Sequence, residues 1–292
     1  MLRTRLASQS LFIALFCSAF APLQAEEYAH RIEAKASVIT YADSFKVSRY
    51  QFITDGHEQE HLVLNYQVGD RLKLTVVNQL SFEIGFSNNG GFGKSVSIPA
   101  GDSAQVVWEL TKTGYCKIYD HVSAHGAYMG LTGVLLSHAE KNEKSFFMWD
   151  LSDFEWAVNE AIAKEDVPDF STYRPDFFTI NGKVYPDSES DPLVKITGNV
   201  DDVITLVIIN SGRAAYSLHF HGYHVKVLST KGRKLIEGAS KDTVPIEVNE
   251  VMVLEMVPDK PGEYPVHNHA LSGVISSGLY PSGQFSIMSI GN

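Results

Sequence analysis

The chain has 292 residues, of which 44% are hydrophobic and 20% charged, and its formal net charge is −10. The apolar content excludes an intrinsically disordered chain, and the length suffices for about two domains with cores of their own. The acidic balance, without a long basic run after the first 25 residues, argues against nucleic acid as a partner.

The first 25 residues have the pattern of a secretory signal. Arg3 and Arg5 precede an apolar stretch at residues 11–20, and small residues then lead to Ala25. The stretch is too short to span a bilayer comfortably, although an N-terminal anchor helix is the alternative. We expect residues 1–25 to be a signal peptide, and the mature protein to be periplasmic or secreted with no membrane span.

Residues 26–140 are predicted to form a first β-domain. Short segments in which apolar and polar residues alternate follow turn signals such as Gly69 and Asp70. The same order of turns and strands recurs in residues 173–292, for example at 203–210. A repeat of more than a hundred residues indicates two tandem β-sandwich domains and an all-β fold.

A linker with a short helix is predicted at residues 141–172. Ser152 and Glu155 have the spacing of a capping box, and apolar residues up to Ile162 follow at helical spacing. Pro168 then ends any helix.

Cysteine gives this chain no internal cross-link. Loss of the signal peptide removes Cys17 and leaves Cys116 as the single cysteine of the mature chain. A disulfide needs two cysteines and a zinc–thiolate cluster several, so both are excluded. We expect Cys116 to be a buried strand residue.

Two His-x-His pairs are the most informative feature of the sequence. His219 and His221 form one pair, and His267 and His269 form the other. Residues i and i+2 of a strand point to the same face, so each pair can direct two imidazoles at one point. A lone strand histidine is usually structural, but two pairs at equivalent positions predict a metal site. Several imidazoles with few carboxylates favour copper or zinc.

Further histidines lie near these pairs. His121 ends the corresponding strand of the first half. His125 and His224 are left open between a ligand role and a supporting role. The remaining histidines after the signal are predicted at the surface, namely His30, His57, His61 and His138.

Around these histidines the sequence resembles the multicopper oxidases, including their two-domain forms, and the related copper nitrite reductases. The resemblance is carried by Ser-Leu-His-Phe-His-Gly at 217–222, Lys-Asp-Thr at 241–243, the strand at 261–269 and the segment at 114–133. It implies two cupredoxin-like Greek-key domains with copper at an interface between a first and a second domain. It also implies a homotrimer, with the site lying either within one chain or between chains.

The chain departs from that family at the electron-entry (type 1) copper, which needs a cysteine thiolate, two histidines and usually a methionine. Asn268 stands at the thiolate position and Tyr216 at the first histidine position. The last two positions fall near Gly273 and Leu279, neither of which is suitable. The first-domain type 1 site of the nitrite reductases is missing as well.

The family's trinuclear cluster is only partly retained. Of its four His-x-His pairs, the first matches residues 85–87 and is lost, and the second keeps a single histidine. The family roles of the survivors imply one well-formed three-histidine copper site, made by His121, His221 and His267. His219 and His269 would flank it, as supporting groups or as ligands of a second, weaker copper ion.

Taken together, the retained and missing ligands predict an exported copper-binding protein that serves copper binding or homeostasis. The alternative is a copper-dependent oxidoreductase that acts on a small substrate with an external redox donor, and a scaffold role is a third. A complete laccase is excluded by this interpretation, because one or two coppers cannot store the four electrons that reduce O₂ to water.

Overall fold

The structure is a computed structural model that describes residues 25–41, 44–54, 61–139, 145–231 and 236–292. The signal peptide predicted at residues 1–25 lies outside this part except for its last residue, and the surface prediction for His57 lies outside it too. None of the helices in the described part is long and apolar enough to cross a membrane.

The first half of the chain forms a two-layer β-sandwich. Its strands are β1 (Glu27–Tyr41), β2 (Phe45–Thr54), β3 (Leu62–Gln67), β4 (Arg71–Asn78), β5 (Ile84–Asn88), β6 (Val96–Ile98), β7 (Ser103–Glu109), β8 (Gly114–Tyr119) and β9 (Thr132–His138). One layer has the order β2-β1-β4-β7 and the other β3-β9-β8-β5-β6. A one-turn helix, α1 (Gly126–Met129), lies between β8 and β9.

The second half repeats this architecture. Its elements are β10 (Phe146–Phe154), α2 (Trp156–Ala163), β11 (Phe177–Ile180), β12 (Thr197–Asn199), β13 (Ile204–Asn210), β14 (Tyr216–Phe220), β15 (Val225–Thr230), β16 (Ser240–Lys241), β17 (Thr243–Ile246), β18 (Val251–Met256), β19 (Gly262–Asn268) and β20 (Phe285–Gly291), with 3₁₀ turns at Asp187–Ser190 and Leu271–Val274. The layers are β11-β10-β13-β18-β15-β16 and β12-β20-β19-β14-β17.

The five-stranded layers of the two sandwiches have the same topology. Strands β8, β5 and β6 of the first occupy the places of β19, β14 and β17 in the second. The two halves even share a turn. Asn78 and Asn210 end equivalent strands, and each amide donates to the carbonyl four residues later, Phe82 at 2.7 Å and Ala214 at 2.9 Å. The predicted all-β fold of two tandem sandwiches is confirmed.

Alternating burial explains why these segments pair as strands. In β4 every second residue, from Leu72 to Asn78, is buried, which matches the period of two of a half-buried strand. Trp108 fills the first core, stacked on Phe86 with ring centroids 5.0 Å apart. Trp149 fills the second, and its indole donates to the Val194 carbonyl at 2.9 Å. Burying each such side chain stabilises the fold by about 1.5–3 kcal/mol.

The helix predicted between the sandwiches is confirmed as α2, but its predicted start is wrong. Ser152 belongs to strand β10, where its hydroxyl bonds to the Thr179 hydroxyl at 2.7 Å. Glu155 is the N-cap, without a side-chain capping bond. The capping-box spacing coincides with a strand whose antiparallel pairing with β11, in which Ser152 lies opposite Thr179, overrides the local signal. Residues 141–172 therefore contain a strand as well as the helix.

Two histidines predicted at the surface are largely enclosed between the sandwiches. His138 is buried, and its ring contacts Tyr115 and Phe146 at 5.5 and 4.6 Å between centroids. His61 Nε2 lies 3.2 Å from the buried Asp150 carboxylate. The surface prediction for these residues is wrong, because the contact between the two domains covers them. Cys116 is buried on β8, as predicted.

Candidate metal centre

The two His-x-His pairs lie side by side on neighbouring antiparallel strands. His219 of β14 is directly opposite His267 of β19 in the pairing register. The alternate residues Leu218 and Val266 point into the core and are fully buried. Because side chains alternate along a strand, the histidines share the outer face of the five-stranded layer. His269 continues the same face just beyond the end of β19.

The four imidazoles form one cluster in which His219 contacts each of the other three. The ring centroid of His219 lies 4.5 Å from that of His221, 5.8 Å from that of His267 and 5.7 Å from that of His269. The closest approach is between His221 Nε2 and His267 Nε2, which are 3.0 Å apart. Both nitrogens can lie about 2.0 Å from one shared point, the usual length of a metal–imidazole bond.

Hydrogen bonds orient two of the four rings. His267 Nδ1 lies 2.9 Å from the Asn268 carbonyl oxygen. His219 Nδ1 lies 3.2 Å from the Asp242 carbonyl and 2.9 Å from the Thr243 hydroxyl. A carbonyl oxygen accepts only, so these contacts place the ring proton on Nδ1 and leave the Nε2 lone pair free. Metal-binding histidines are commonly oriented in this way.

The surroundings of His221 favour its neutral form. The pKa of His221 is lowered, first by desolvation and then by the charges of His219 and His267. A neutral imidazole is the form that binds a metal, so the lowered pKa favours binding at neutral pH. The donor set therefore fits copper or zinc. In the described residues, no group of three or more His, Cys, Asp or Glu side chains is already arranged to hold an ion.

His121 follows β8, the corresponding strand of the first domain. Its exposed ring lies over Gly85 of β5, where a Cβ would stand only 2.3 Å from His121 Nδ1. Ser87 of β5 pairs with Tyr119 of β8. Residues 85–87, which match the lost first His-x-His pair, and residues 119–121, which match the partly retained second pair, therefore lie on neighbouring strands. Within the described chain, no hydrogen bond or ring contact joins His121 to the second-domain histidines.

The loop after His121 is held by a buried carboxylate that sequence reasoning missed. Asp120 accepts hydrogen bonds from the backbone N–H groups of Gly85 at 2.6 Å and Val122 at 2.9 Å. It is buried while its neighbour His121 is exposed. The sequence could have indicated Asp120 only through the alternation of strand faces, which turns residue 120 inward when residue 121 points outward.

The two histidines whose roles were left open lie outside the cluster. His125 precedes α1, and its ring contacts Phe170 at 5.7 Å between centroids. It lines a first-domain groove of about 1170 Å³ that also contains Val122 and Val167. His224 is exposed and has no ring or hydrogen-bond contact in the described structure.

Two positions at which the sequence predicts that type 1 copper ligands are missing lie in the interior behind the imidazoles. They are occupied by the phenol of Tyr216 and the amide of Asn268. Tyr216 is buried, and its hydroxyl donates to Asp153, which also accepts from the Tyr173 hydroxyl at 2.6 Å. Burial and the Asp153 charge raise the pKa of Tyr216 well above its usual value. Asn268 donates to the Gln284 side chain at 2.8 Å. Neither Asp153 nor Gln284 was identified from the sequence.

Comparisons with known proteins agree with the fold. Residues 161–282 match the multicopper oxidase family. The blue copper oxidase from Nitrosomonas europaea is 20% identical with a TM-score of 0.73, covering 91% of this chain and 86% of that one. Multicopper oxidase mgLAC is also 20% identical, with a TM-score of 0.76 and the same coverage of 91% and 86%. A copper nitrite reductase from Nitrosomonas europaea is 13% identical with a TM-score of 0.67, covering 91% and 94%. No curated protein sequence matches the chain.

Proposed function

We propose that this chain, which carries a multicopper oxidase domain at residues 161–282, is an exported copper-binding protein that serves copper homeostasis. The residues proposed to hold a well-formed copper ion are His221 and His267 of the second domain with His121 of a first domain. His219 and His269 support this ion or bind a second, weaker one.

The observation that carries the proposal is the close approach of His221 Nε2 and His267 Nε2, 3.0 Å apart on an outer sheet face. Without a metal, a neutral His221 can donate its Nε2 proton to the free lone pair of His267 Nε2. Desolvation lowers the pKa of His221 and so favours the neutral imidazole, whose ring proton a metal ion can replace. The two nitrogens already have the separation that two ligands of one ion need, and this supports a metal site here.

Neighbouring protein groups fix the position of the ring proton on two of these imidazoles. The Asn268 carbonyl holds the proton of His267 on Nδ1, and Thr243 with the Asp242 carbonyl does the same for His219. Copper, when bound, would supply one-electron redox chemistry and an open position for a small ligand.

Copper holding is favoured over turnover by the interior behind the site. The buried Tyr216 phenol bonds to Asp153, and the buried Asn268 amide bonds to Gln284. Neither side chain offers the thiolate that a blue copper relay requires. Cys116 is no substitute, because burial raises the pKa of its thiol to about 12.

A copper-dependent oxidoreductase with an external electron donor is the second candidate. It is favoured by the orientation of His219 and His267 through their Nδ1 atoms, since a site that only buffers copper does not need such fixed ligands. The discriminating assay is turnover of the copper-loaded protein with artificial donors and O₂, peroxide or nitrite. Tight copper binding without turnover supports the first candidate.

In the described part of the chain His121 makes no hydrogen bond or ring contact with the other proposed ligands, and this favours a site shared between copies. We propose a homotrimer in which the His121 face of one copy meets the histidine face of the next. Apolar side chains are exposed beside both faces. Val122 is 38% exposed next to His121, and Leu271 is 75% exposed near His269. Two different complementary patches produce a head-to-tail contact, which closes into a ring.

Mixing two variants that each lack one proposed copper ligand tests this arrangement directly. His121→Ala keeps the second-domain ligands, and His221→Ala keeps His121. If sites form between copies, randomly reassembled mixtures regain about a quarter of the wild-type copper, because each contact joins one face from each of two copies. If the site forms within one chain, the mixture regains none. Native mass spectrometry measures the copper content and the number of copies together.

A further inference from the structure

The residue between His267 and His269, at the end of β19, points into the protein and is hydrogen-bonded through both its side-chain oxygen and its side-chain nitrogen. Asn268 is only 2% exposed, whereas His267 and His269 on either side face outward. Its side-chain oxygen accepts from the Ala270 backbone N–H at 3.0 Å. Its side-chain NH₂ donates to Gln284 Oε1 at 2.8 Å. The first of these bonds turns the chain immediately after His269.

Gln284 connects Asn268 to the opposite layer of the sandwich. It is completely buried, and its NH₂ donates to the Ser152 carbonyl of β10 at 3.3 Å. The Gln284 backbone carbonyl also accepts from the Asn268 backbone N–H at 2.9 Å. Two buried amides therefore span the layers between β19 and β10. In such a network each unmade bond costs about 1–3 kcal/mol, so the geometry is well determined.

Gly273 leaves room for the bridge that the Asn268 and Gln284 side chains form between the layers. A Cβ on Gly273 would stand 2.3 Å from Asn268 Nδ2, closer than any real contact. The backbone at Gly273 thus packs directly against the Asn268 amide, and any larger residue at position 273 would displace it.

We propose that Asn268 and Gln284 are positioning residues for the copper ligands, an inference that rests on the proposed function. The bridge fixes the height and twist of β19, and the turn at Ala270 sets the direction of His269. The Asn268 carbonyl, held in the same segment, accepts the Nδ1 proton of His267. The two amides thereby determine which nitrogen of His267 is free and where it lies.

The first domain uses the same device with a different side chain. Asp120 precedes His121, points inward, and accepts from the backbone N–H two residues later, that of Val122, at 2.9 Å. Asn268 makes the same turn with Ala270. The recurrence of an inward anchor next to an outward histidine in both sandwiches supports a positioning role for the anchor.

The test compares Asn268→Ala and the milder Asn268→Ser with Asn78→Ala. Asn78 is a buried asparagine in the first domain with a similar turn, in which the Leu80 N–H donates to its side-chain oxygen at 3.0 Å. We expect both Asn268 variants to weaken Cu(II) affinity about 10–100-fold and to alter the electron paramagnetic resonance spectrum. Asn78→Ala should lose about as much thermal stability as the Asn268 variants. Its copper affinity should nevertheless stay within about twofold of wild type, because Asn78 does not position a proposed copper ligand. The serine variant retains an acceptor for Ala270, so it keeps the test valid if the alanine variant does not fold.

A second pair of variants isolates the bridge from the turn. Burial favours the protonated form of the glutamate in Gln284→Glu, which keeps an acceptor for Asn268 and a donor for the Ser152 carbonyl, so this variant should retain most of the copper affinity, whereas Gln284→Leu should lose it. Imidazole ¹⁵N shifts of the metal-free protein should show His267 protonated on Nδ1 in the wild type and a mixture of tautomers in Asn268→Ala. Unchanged affinity, spectrum and tautomer in the Asn268 variants, with wild type binding copper, overturn the positioning role alone. A wild type that binds no copper overturns the proposed function and this inference together.

Discussion

Replacing His221 by alanine should separate the stability of the metal-free protein from its response to copper. His221 is partly exposed, and its Nε2 faces His267 Nε2 at 3.0 Å. Without a metal, this contact is a partly exposed hydrogen bond between two neutral imidazoles, and such a bond contributes little net stability because water can replace it. The free energy of unfolding of the metal-free variant should therefore stay within about 0.5 kcal/mol of wild type.

The copper-loaded state should respond very differently. A free copper concentration of 100 times Kd stabilises the wild type by about 2.7 kcal/mol, which corresponds to roughly 5–10 °C in Tm for a chain of this size. Loss of one of three imidazole ligands should weaken binding at least about 100-fold. The same copper concentration is then close to the variant's Kd, and the stabilisation falls to about 0.4 kcal/mol, or roughly 1 °C.

Differential scanning fluorimetry with and without Cu(II) measures both quantities. His224→Ala is the matched control, because His224 is a nearby exposed histidine without a described partner. It should keep the full copper-dependent rise in Tm. A His221→Ala protein that gains as many degrees from copper as the wild type would refute the assignment of His221 as a ligand.

Three further predictions concern other parts of the molecule. Gly85→Ala should displace the His121 ring, because the added Cβ would stand 2.3 Å from its Nδ1. Calorimetry should therefore show a lower copper affinity. If Gly85→Ala lowered the affinity further in a His121→Ala background, displacement of the His121 ring would not be the cause. Asp153→Ala should lower the free energy of unfolding in urea by roughly 3 kcal/mol by leaving two phenol hydroxyls without an acceptor. The exposed Asp166→Ala should change it by less than about 0.5 kcal/mol, and equal effects would refute the buried network. Burial raises the pKa of Cys116 to about 12, so iodoacetamide at pH 8 should leave the native thiol unmodified and react once the protein is unfolded; rapid native alkylation would show an exposed thiol.

The sequence predicts the fold and the second-domain cluster because both depend on local periodicity. Burial alternates along β4 as expected, and the i, i+2 spacing of His219 and His221 places them on one face. The absence of a thiolate is equally local, since it depends on the residue type at Asn268.

What the sequence could not predict depends on contacts between distant segments. Ser152 has helix-start spacing but pairs in a strand, because Thr179 of β11 lies opposite it. His138 is hydrophilic but lies against Phe146, because the two sandwiches pack there. The partners of Asn268 and Tyr216, namely Gln284 and Asp153, are 16 and 63 residues away. No spacing rule connects residues at such separations.

Copper analysis combined with electron paramagnetic resonance of the purified, copper-loaded protein tests the central claim most directly. The account predicts tightly bound Cu(II) with hyperfine structure from several imidazole nitrogens, and it predicts that this signal is lost in His267→Ala. It also predicts no intense blue absorption from a copper–thiolate bond. Protein that retains no copper, or copper with a thiolate signature, would contradict it.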